Sequence, residues 1–342
     1  MKAIQILAVS ALALLAGCGP ETRGVGTDSV KIDSSQPKEL QAINMKLRQD
    51  PNNLDLYHER AKYYIGKKQY KEASADMQRV LNIDSSKTVY LMTTADLCFF
   101  QNKTGRSKQL LERVILLDEK NTEARLRLAQ LYVYTDQYQR ALNQLDSTLM
   151  INQNIAEAYF IKGMVFKKTG DTAKAVSSLQ TAVDLDPEYY NAFIQLGILF
   201  AEKKSKLAEE YYQDALKIKP GSDEAMYNLA KYYQDIGEIN RALDGYTALL
   251  KVYPSHFDAH FNLGVLHTQQ LKMYDEGIKY FNLAMQDNPH EPRAFYGRGF
   301  CYEMKGDANK AIEDYRQALV IDPGYENARI SIDRILKGEK AK

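Results

Sequence analysis

The chain has 342 residues, a length that suggests two ordinary domains unless internal repeats set a different organisation. Its 45 lysine and arginine residues balance 44 aspartate and glutamate residues, so no overall field attracts a polyanion, and we expect no nucleic-acid partner. Three cysteines, Cys18, Cys98 and Cys301, are too few and too scattered for a disulfide framework.

The first residues have the pattern of an export signal. After a short basic start, residues 3–16 are mainly apolar but too few to span a bilayer as a permanent helix, which predicts a removable signal peptide over residues 1–17. The Leu-Ala-Gly-Cys sequence that ends at Cys18 resembles the lipobox of bacterial lipoproteins. The resemblance implies cleavage after Gly17 and a diacylglyceryl thioether on Cys18. The alternative is an ordinary secretory signal with a chance cysteine.

Residues 18–37 are rich in glycine, serine, threonine and proline, which predicts a disordered, lipidated tether. The lipoprotein resemblance implies a membrane-anchored location in the bacterial cell envelope. Gly19 is not the aspartate that retains proteobacterial lipoproteins in the inner membrane, which favours the outer membrane. No acidic run follows Cys18, which favours an orientation towards the periplasm.

Most of the remaining chain repeats with a period of about 34 residues. The prolines at 187, 220, 254, 289 and 323 lie 33, 34, 35 and 34 residues apart. A column of small residues with the same spacing defines eight units: Ala61, Ala95, Ala129, Gly163, Gly197, Ala230, Gly264 and Gly299. A large residue follows each of them after three positions: Tyr64, Cys98, Tyr132, Phe166, Phe200, Tyr233, His267 and Tyr302. A second small column comes later in each unit: Ala73, Ser107, Ala141, Ala175, Ala208, Ala242, Gly277 and Ala311.

Small residues at these positions let two short antiparallel helices cross closely, and proline ends the second helix. The period, the columns and the closing proline resemble the tetratricopeptide repeat family over residues 54–323. The resemblance implies an all-α, right-handed α-solenoid of about eight helix-turn-helix repeats. A leading helix is predicted over residues 38–53. A capping helix and tail are predicted over residues 324–342, with Ala328, Ile332 and Ile335 facing inward.

The repeats depart from the family pattern at several places. Those centred on Ala95 and Ala129 lack the closing proline, and Cys98 and His267 replace an aromatic residue. One unit is a residue short and another a residue long. We expect looser or bent joints there.

The sequence contains no convincing set of catalytic or metal-binding residues. His256, His260 and His267 share one side of a helix, but the last two lie about 10 Å apart along its axis, too far to bind one ion. Cys98 and Cys301 are expected to be buried free thiols. The carboxylates at helix starts, such as Asp136, Asp171 and Asp307, are explained by capping. We therefore expect no enzymatic activity, no metal and no cofactor.

The family resemblance implies that residues three before and one after each small-column residue line a concave, partner-binding groove. Its apolar members are Met92, Leu126, Phe160, Met164, Ile194, Ile198, Tyr227, Phe261, Val265, Tyr296 and Phe300. The groove is predicted to be most apolar from Phe160 to Ile198, with Lys62, Lys231 and Arg293 available to fix the polarity of a ligand. The alternative is that these side chains are buried against the next repeat.

An exposed apolar groove favours a protein or peptide partner, either an amphipathic helix or an extended apolar segment. The sequence thus predicts a membrane-tethered interaction scaffold or adaptor of the cell envelope. The alternative is a lipoprotein that binds a glycan or small molecule on the same repeats. The absence of tryptophan counts against that alternative, whereas the 24 tyrosines keep it open.

Lipidation of Cys18 can be tested by metabolic labelling with a tagged fatty acid. Replacing the thiol by a hydroxyl in Cys18→Ser removes the acceptor of the lipid, so the variant should remain unlabelled and uncleaved. Equal labelling of the variant and the wild type would contradict the lipobox assignment.

Overall fold

The computed structural model describes residues 37–339. Within this range the chain forms eighteen α-helices and one π-helical turn, and it contains no strand. The predicted signal peptide, Cys18 and nearly all of the tether lie outside the described residues. None of the helices between residues 37 and 339 is long and apolar enough to cross a membrane.

The described chain divides into two compact units, one ending at Leu110 and the other starting at Leu111. The first unit contains α1 (Lys38–Gln49), α2 (Leu54–Gly66), α3 (Tyr70–Ile83) and α4 (Thr88–Phe100). The boundary falls inside α5 (Thr104–Leu117). The second unit contains α6 (Thr122–Tyr134), α7 (Tyr138–Ile151), α8 (Ala156–Lys168), α9 (Thr172–Leu185), α10 (Tyr190–Ala201), α11 (Leu207–Ile218), α12 (Asp223–Asp235), α13 (Ile239–Val252), α14 (Phe257–Val265), the π turn (Leu266–Gln270), α15 (Tyr274–Asp287), α16 (Pro292–Met304), α17 (Ala308–Ile321) and α18 (Glu326–Leu336).

Each repeat of the second unit is a hairpin of two helices, here named the first and second helix of the repeat. The pairs are α6 with α7, α8 with α9, α10 with α11, α12 with α13, α14 with α15, and α16 with α17. Each second helix also contacts the first helix of the following repeat, and α17 contacts α18. This order of contacts confirms the all-α repeat fold predicted from the 34-residue period.

The small-residue column lies where the two helices of a hairpin cross. All eight of its members are buried. A Cβ atom added to Gly264 would come 2.8 Å from Cε1 of Phe281, and one added to Gly299 would come 2.9 Å from Cε1 of Tyr315. These distances are shorter than van der Waals contact, so the aromatic ring of the second helix occupies the space that the glycine leaves.

The bulky partner in this contact is a column that the sequence analysis missed. It lies four residues after the second small column and is almost fully buried throughout: Met77, Leu111, Leu145, Leu179, Tyr212, Tyr246, Phe281 and Tyr315. Its 34-residue spacing was present in the sequence. The column was overlooked because it mixes aliphatic and aromatic residues.

The repeat that is one residue too long absorbs its extra residue in the π turn. Small-column residues of most repeats lie twelve positions apart, as Gly163 and Ala175 do, whereas Gly264 and Gly277 lie thirteen apart. The π turn Leu266–Gln270 lies between these two glycines. Because a π turn holds one more residue than an α-helical turn, both glycines keep their places at the helix crossing.

The turn between the two helices of every repeat contains one residue with positive φ. Gly170 and Gly306 have φ of 83° and 85°, the left-handed conformation that is typical of glycine after the end of a helix. Asp171 and Asp307 then cap α9 and α17 through their carboxylates. Asp136 does not cap α7, contrary to expectation. Asp136 is the residue with positive φ, 55°, and it lies one position before Gln137, the N-cap residue of α7. Its carboxylate instead accepts a hydrogen bond from Tyr138 Oη.

The last helix, α18, covers the end of the repeat series. Ala328 is fully buried, and Ile332 and Ile335 pack against the cluster around Tyr315. Glu303 on α16 accepts hydrogen bonds from both Tyr315 Oη, at 2.7 Å, and Arg334 Nη2 of α18, at 2.7 Å. The side chains of α18 therefore donate a hydrogen bond to a buried carboxylate and also cover the apolar face of the last repeat.

The helix crossing can be tested at Gly197, whose position is filled by the ring of Tyr212. In Gly197→Leu the new side chain must displace that ring, which should lower the free energy of unfolding by about 1–3 kcal/mol or more. Gly221→Leu is the matched control, because no atom lies within 4 Å of its added Cβ.

Hydrogen exchange should locate the damage of Gly197→Leu, since each repeat contacts chiefly its neighbours. Protection should fall first in α10 and α11 and in the helices beside them. A uniform loss across the whole second unit would show instead that the repeats unfold as one block.

Candidate functional site

An apolar cleft of the second unit lies between α14 and α16 and has a volume of about 270 Å³. We call it the α14–α16 cleft. It is lined by Phe261, Val265, Thr268, Gln269, Phe281, Arg293, Tyr296, Gly297, Phe300 and Tyr325. Four residues of the predicted groove therefore meet in one place: Phe261, Val265, Tyr296 and Phe300.

The cleft depends on the same close helix packing as the hairpins. Phe281 of α15 lies between Gly264 and Gly297, and a Cβ added to Gly297 would approach its Cε1 to 2.5 Å. Because neither neighbour has a side chain, the ring reaches the space between α14 and α16 and lines the cleft. The two glycines thus determine the depth of the cleft.

Aromatic rings form most of its walls. Phe261 lies 5.7 Å from Phe281 between ring centroids, and Tyr296 lies 5.5 Å from Tyr325. These separations fall within the range of favourable aromatic pairs. The rings of Phe261, Tyr296, Phe300 and Tyr325 are only partly buried, so each keeps surface that a ligand can contact.

Arg293 closes one end of the cleft, but its charge is already matched. Its guanidinium donates to Glu291 from Nε at 2.8 Å and approaches Asp258 to 3.5 Å from Nη2. It also lies over Phe261, 5.0 Å from the ring centroid. The hydrogen bonds from Arg293 lower the pKa of Glu291, so this carboxylate remains ionised. Arg293, which was expected to fix the polarity of a ligand, is thus paired with Glu291 and Asp258.

The π turn supplies the polar side of the cleft. It places Thr268 and Gln269 on the cleft wall. The hydroxyl of Thr268 forms a hydrogen bond with Cys301 Sγ at 3.0 Å. Burial raises the pKa of the Cys301 thiol to about 11, so the thiol remains protonated and unreactive. π turns are frequent at functional sites, and this one was signalled in the sequence only by the 35-residue spacing.

Three residues of the predicted groove are not available to a ligand. Ile194 is 1% exposed, and Met92 and Leu126 are each 7% exposed. The prediction of an exposed wall is therefore corrected at these positions, because neighbouring helices cover the side chains. Burial against the next repeat was the alternative, and the structure supports it here.

Four other groove residues lie outside the cleft. Phe160, Met164, Ile198 and Tyr227 are half-buried. Phe160 packs edge-on against Tyr189 at 5.1 Å, and Tyr227 stacks on His256 at 5.7 Å. The surface was predicted to be most apolar from Phe160 to Ile198, in the fourth and fifth repeats, but the cleft lies between the seventh and eighth repeats.

A second, more polar cleft occurs in the first unit between α1 and α2, with a volume of about 520 Å³. Its lining is mostly charged and includes Lys62, which was one of the cations assigned to the groove. His58 beside it bonds to Thr93 Oγ1 through Nε2 at 2.7 Å, and burial lowers the pKa of its imidazole. Polar surface makes up a larger share of its lining than of the lining of the α14–α16 cleft.

The three histidines considered for metal binding have separate partners. His256 caps α14 through Nδ1, and His260 Nδ1 lies 2.7 Å from Asp287 Oδ2. His267 stacks on Tyr280 at 5.1 Å, which confirms that it takes the place of an aromatic residue. No group of three metal-binding side chains occurs within residues 37–339. Cys98 and Cys301 are buried free thiols, as predicted.

The difference between buried and half-buried groove residues can be measured directly. Ile194→Asp places a charge in a closed site and should reduce the free energy of unfolding by several kcal/mol. Ile198→Asp, one helical turn away, should cost clearly less because water reaches that side chain. Thermal melting of both variants tests the assignment, and equal losses would mean that Ile198 is also a core residue.

Models of the tetratricopeptide repeat match residues 54–87, 101–160, 156–189, 227–292 and 292–325. Among curated relatives, the peptidyl-prolyl cis-trans isomerase FKBP42 of Arabidopsis thaliana is 27% identical over 143 residues, which are 42% of this chain. The match spans about a third (34%) of that isomerase.

Solved structures show the same fold. The C-terminal part of a TPR repeat-containing protein from Cytophaga hutchinsonii aligns with a TM-score of 0.60 at 18% identity, covering 70% of this chain and 99% of that one. PilW, a type IV pilus biogenesis factor, aligns with a TM-score of 0.51 at 16% identity, covering 63% of this chain and 98% of that one. Since the repeat models together match more than half of its residues, the chain belongs to the tetratricopeptide repeat family.

Proposed function

We propose that the protein is an interaction scaffold and that it binds a segment of another protein in the α14–α16 cleft. Tetratricopeptide repeats typically serve protein–protein interaction, which supports the general assignment. The assignment of the binding site to this cleft rests on one observation. Three partly exposed aromatic side chains, those of Phe261, Tyr296 and Phe300, line the same cleft. Partly exposed aromatic side chains are the usual anchors of protein interfaces.

The size of the cleft limits what can enter it. The cleft volume of about 270 Å³ accommodates one or two large side chains of a docked segment. An extended segment can place such side chains in the cleft while its backbone stays at the surface. The volume also lies slightly below the range of roughly 300–1,000 Å³ that is usual for small-molecule pockets, which favours a peptide over a small ligand.

The proposed scaffold is tethered to the bacterial envelope. The support for this part is the sequence alone: the lipobox-like residues ending at Cys18 and the polar segment that follows them. Gly19 favours the outer membrane, with the repeats facing the periplasm. A tether of about 20 residues would let the cleft reach partners near the membrane surface without contacting it.

We propose no catalytic role for the cleft. The polar groups of its lining include the side chains of Thr268 and Gln269 and the guanidinium of Arg293, which is already paired with Glu291. An interaction scaffold needs only to bind its partner, and tetratricopeptide repeat proteins are generally not enzymes.

Partner binding can be tested with Phe300→Asp. A partner that docks in the cleft would have to bury this unpaired charge, so its affinity should fall by about 30-fold or more. The matched control is Val320→Asp, because Val320 is 73% exposed and does not line the cleft. The measurement is capture of partners from envelope extract beside thermal melting of each variant.

Selective loss of capture in Phe300→Asp, with a melting temperature close to that of Val320→Asp, is the expected result. Undiminished capture by folded Phe300→Asp would reject the cleft as the binding site.

A further inference from the structure

Resting on the proposed function, we propose that the segment bound in the α14–α16 cleft is proline-rich, adopts the polyproline II conformation and carries a basic residue beside its prolines. Three observations lead to this occupant: the aromatic walls, two tyrosine hydroxyls without internal partners, and an excess of carboxylates at one end of the cleft.

The aromatic walls suit proline rings. Phe261, Tyr296 and Phe300 are partly exposed aromatic side chains from two successive first helices. Grooves lined by aromatic side chains are the usual receptors of polyproline II segments, because flat rings accept the pyrrolidine rings between them. Such a segment loses little conformational entropy on binding, since proline already restricts its backbone.

Two hydroxyls are available to hold its backbone. Tyr296 and Tyr325 both line the cleft. Within residues 37–339 neither hydroxyl makes a hydrogen bond, and neither oxygen is buried away from solvent. A polyproline II segment has no internal hydrogen bonds, so its carbonyl oxygens are free to accept. The two tyrosines can therefore each donate to a carbonyl of the bound segment while their rings contact its prolines.

The charge at one end of the cleft favours a basic residue in the partner. Arg293 is the one charged residue of the cleft lining, and its guanidinium pairs with both Asp258 and Glu291. Asp322 lies beside Tyr325, whose backbone N–H donates to its carbonyl oxygen. Among these four charged groups, three carboxylates therefore exceed one guanidinium by two negative charges. A lysine or arginine adjoining the prolines would meet this excess, whereas an acidic residue would be repelled.

The walls are held in place before binding. The guanidinium of Arg293 lies over both Phe257 and Phe261, at 5.3 and 5.0 Å from the ring centroids, and Glu291 fixes it in turn. Tyr296 contacts Tyr315 as well as Tyr325. A preformed aromatic cleft reduces the ordering cost of binding.

The probe is a fluorescein-labelled decaproline peptide with one C-terminal arginine amide, titrated against the full chain by fluorescence anisotropy. A polyalanine-based helical peptide of equal length and charge is the comparison, and it should bind at least about 10-fold more weakly. Tyr296→Phe and Tyr325→Phe each remove one hydroxyl and should weaken binding of the proline peptide by about 3- to 10-fold.

Tyr302→Phe is the matched control for these substitutions. Tyr302 lies on α16, the helix that also contains Tyr296, but it does not line the cleft. Loss of its hydroxyl should therefore leave the affinity for the proline peptide unchanged. Asp322→Asn keeps the oxygen that accepts from the backbone of Gly324 but removes the charge. It should weaken binding of the arginine-bearing peptide by about 3-fold and leave a peptide ending in glutamine amide unchanged.

The inference is overturned if the proline peptide does not bind, or if neither Tyr296→Phe nor Tyr325→Phe weakens its binding. Selection from a random phage-displayed peptide library separates it from the proposed function. Selected peptides that need Phe300 but lack proline would overturn the proline-rich partner and leave the cleft as a peptide site. If no selected peptide requires Phe300, both the inference and the proposed site fail.

Discussion

The close crossing of two helices at a glycine or alanine is the contact on which the rest of the structure depends. At each crossing a bulky side chain of the second helix fills the space left by the missing side chain of the first, as Tyr315 does beside Gly299. This contact holds each hairpin together and fixes how its helices are rotated. The rotation then decides which side chains face the next repeat and which face solvent.

The same constraint explains how the cleft arose in the repeat that has one extra residue. Gly264 and Gly277 are both held at the crossing, the first against Phe281 and the second against Thr268. The additional residue can be absorbed only between them, and it produces the π turn. That turn brings Thr268 and Gln269 to the cleft, which no other repeat reproduces with the same spacing. One additional residue in this repeat thus gives it a surface that differs locally from that of the other repeats.

The repeat fold was predictable because its signals recur eight times. The proline spacing and the small columns identify the hairpins. The site was less predictable because a helical register gives the direction of a side chain but not the extent of its burial. Ile194 and Ile198 share one face, yet only the first is closed over by its neighbours. The pairing of Arg293 with Glu291 and Asp258 likewise depends on contacts across repeats that sequence spacing does not reveal.

The claim that a partner segment occupies the α14–α16 cleft is tested most directly by photo-crosslinking. A photoreactive phenylalanine analogue at Val265, which lines the cleft, and at Val320, which is exposed elsewhere in the same unit, would be compared in native envelopes. The account predicts one discrete adduct from position 265, mapped by mass spectrometry to a proline-rich stretch, and none from position 320. Adducts of equal yield from both positions, or from position 320 alone, would contradict it.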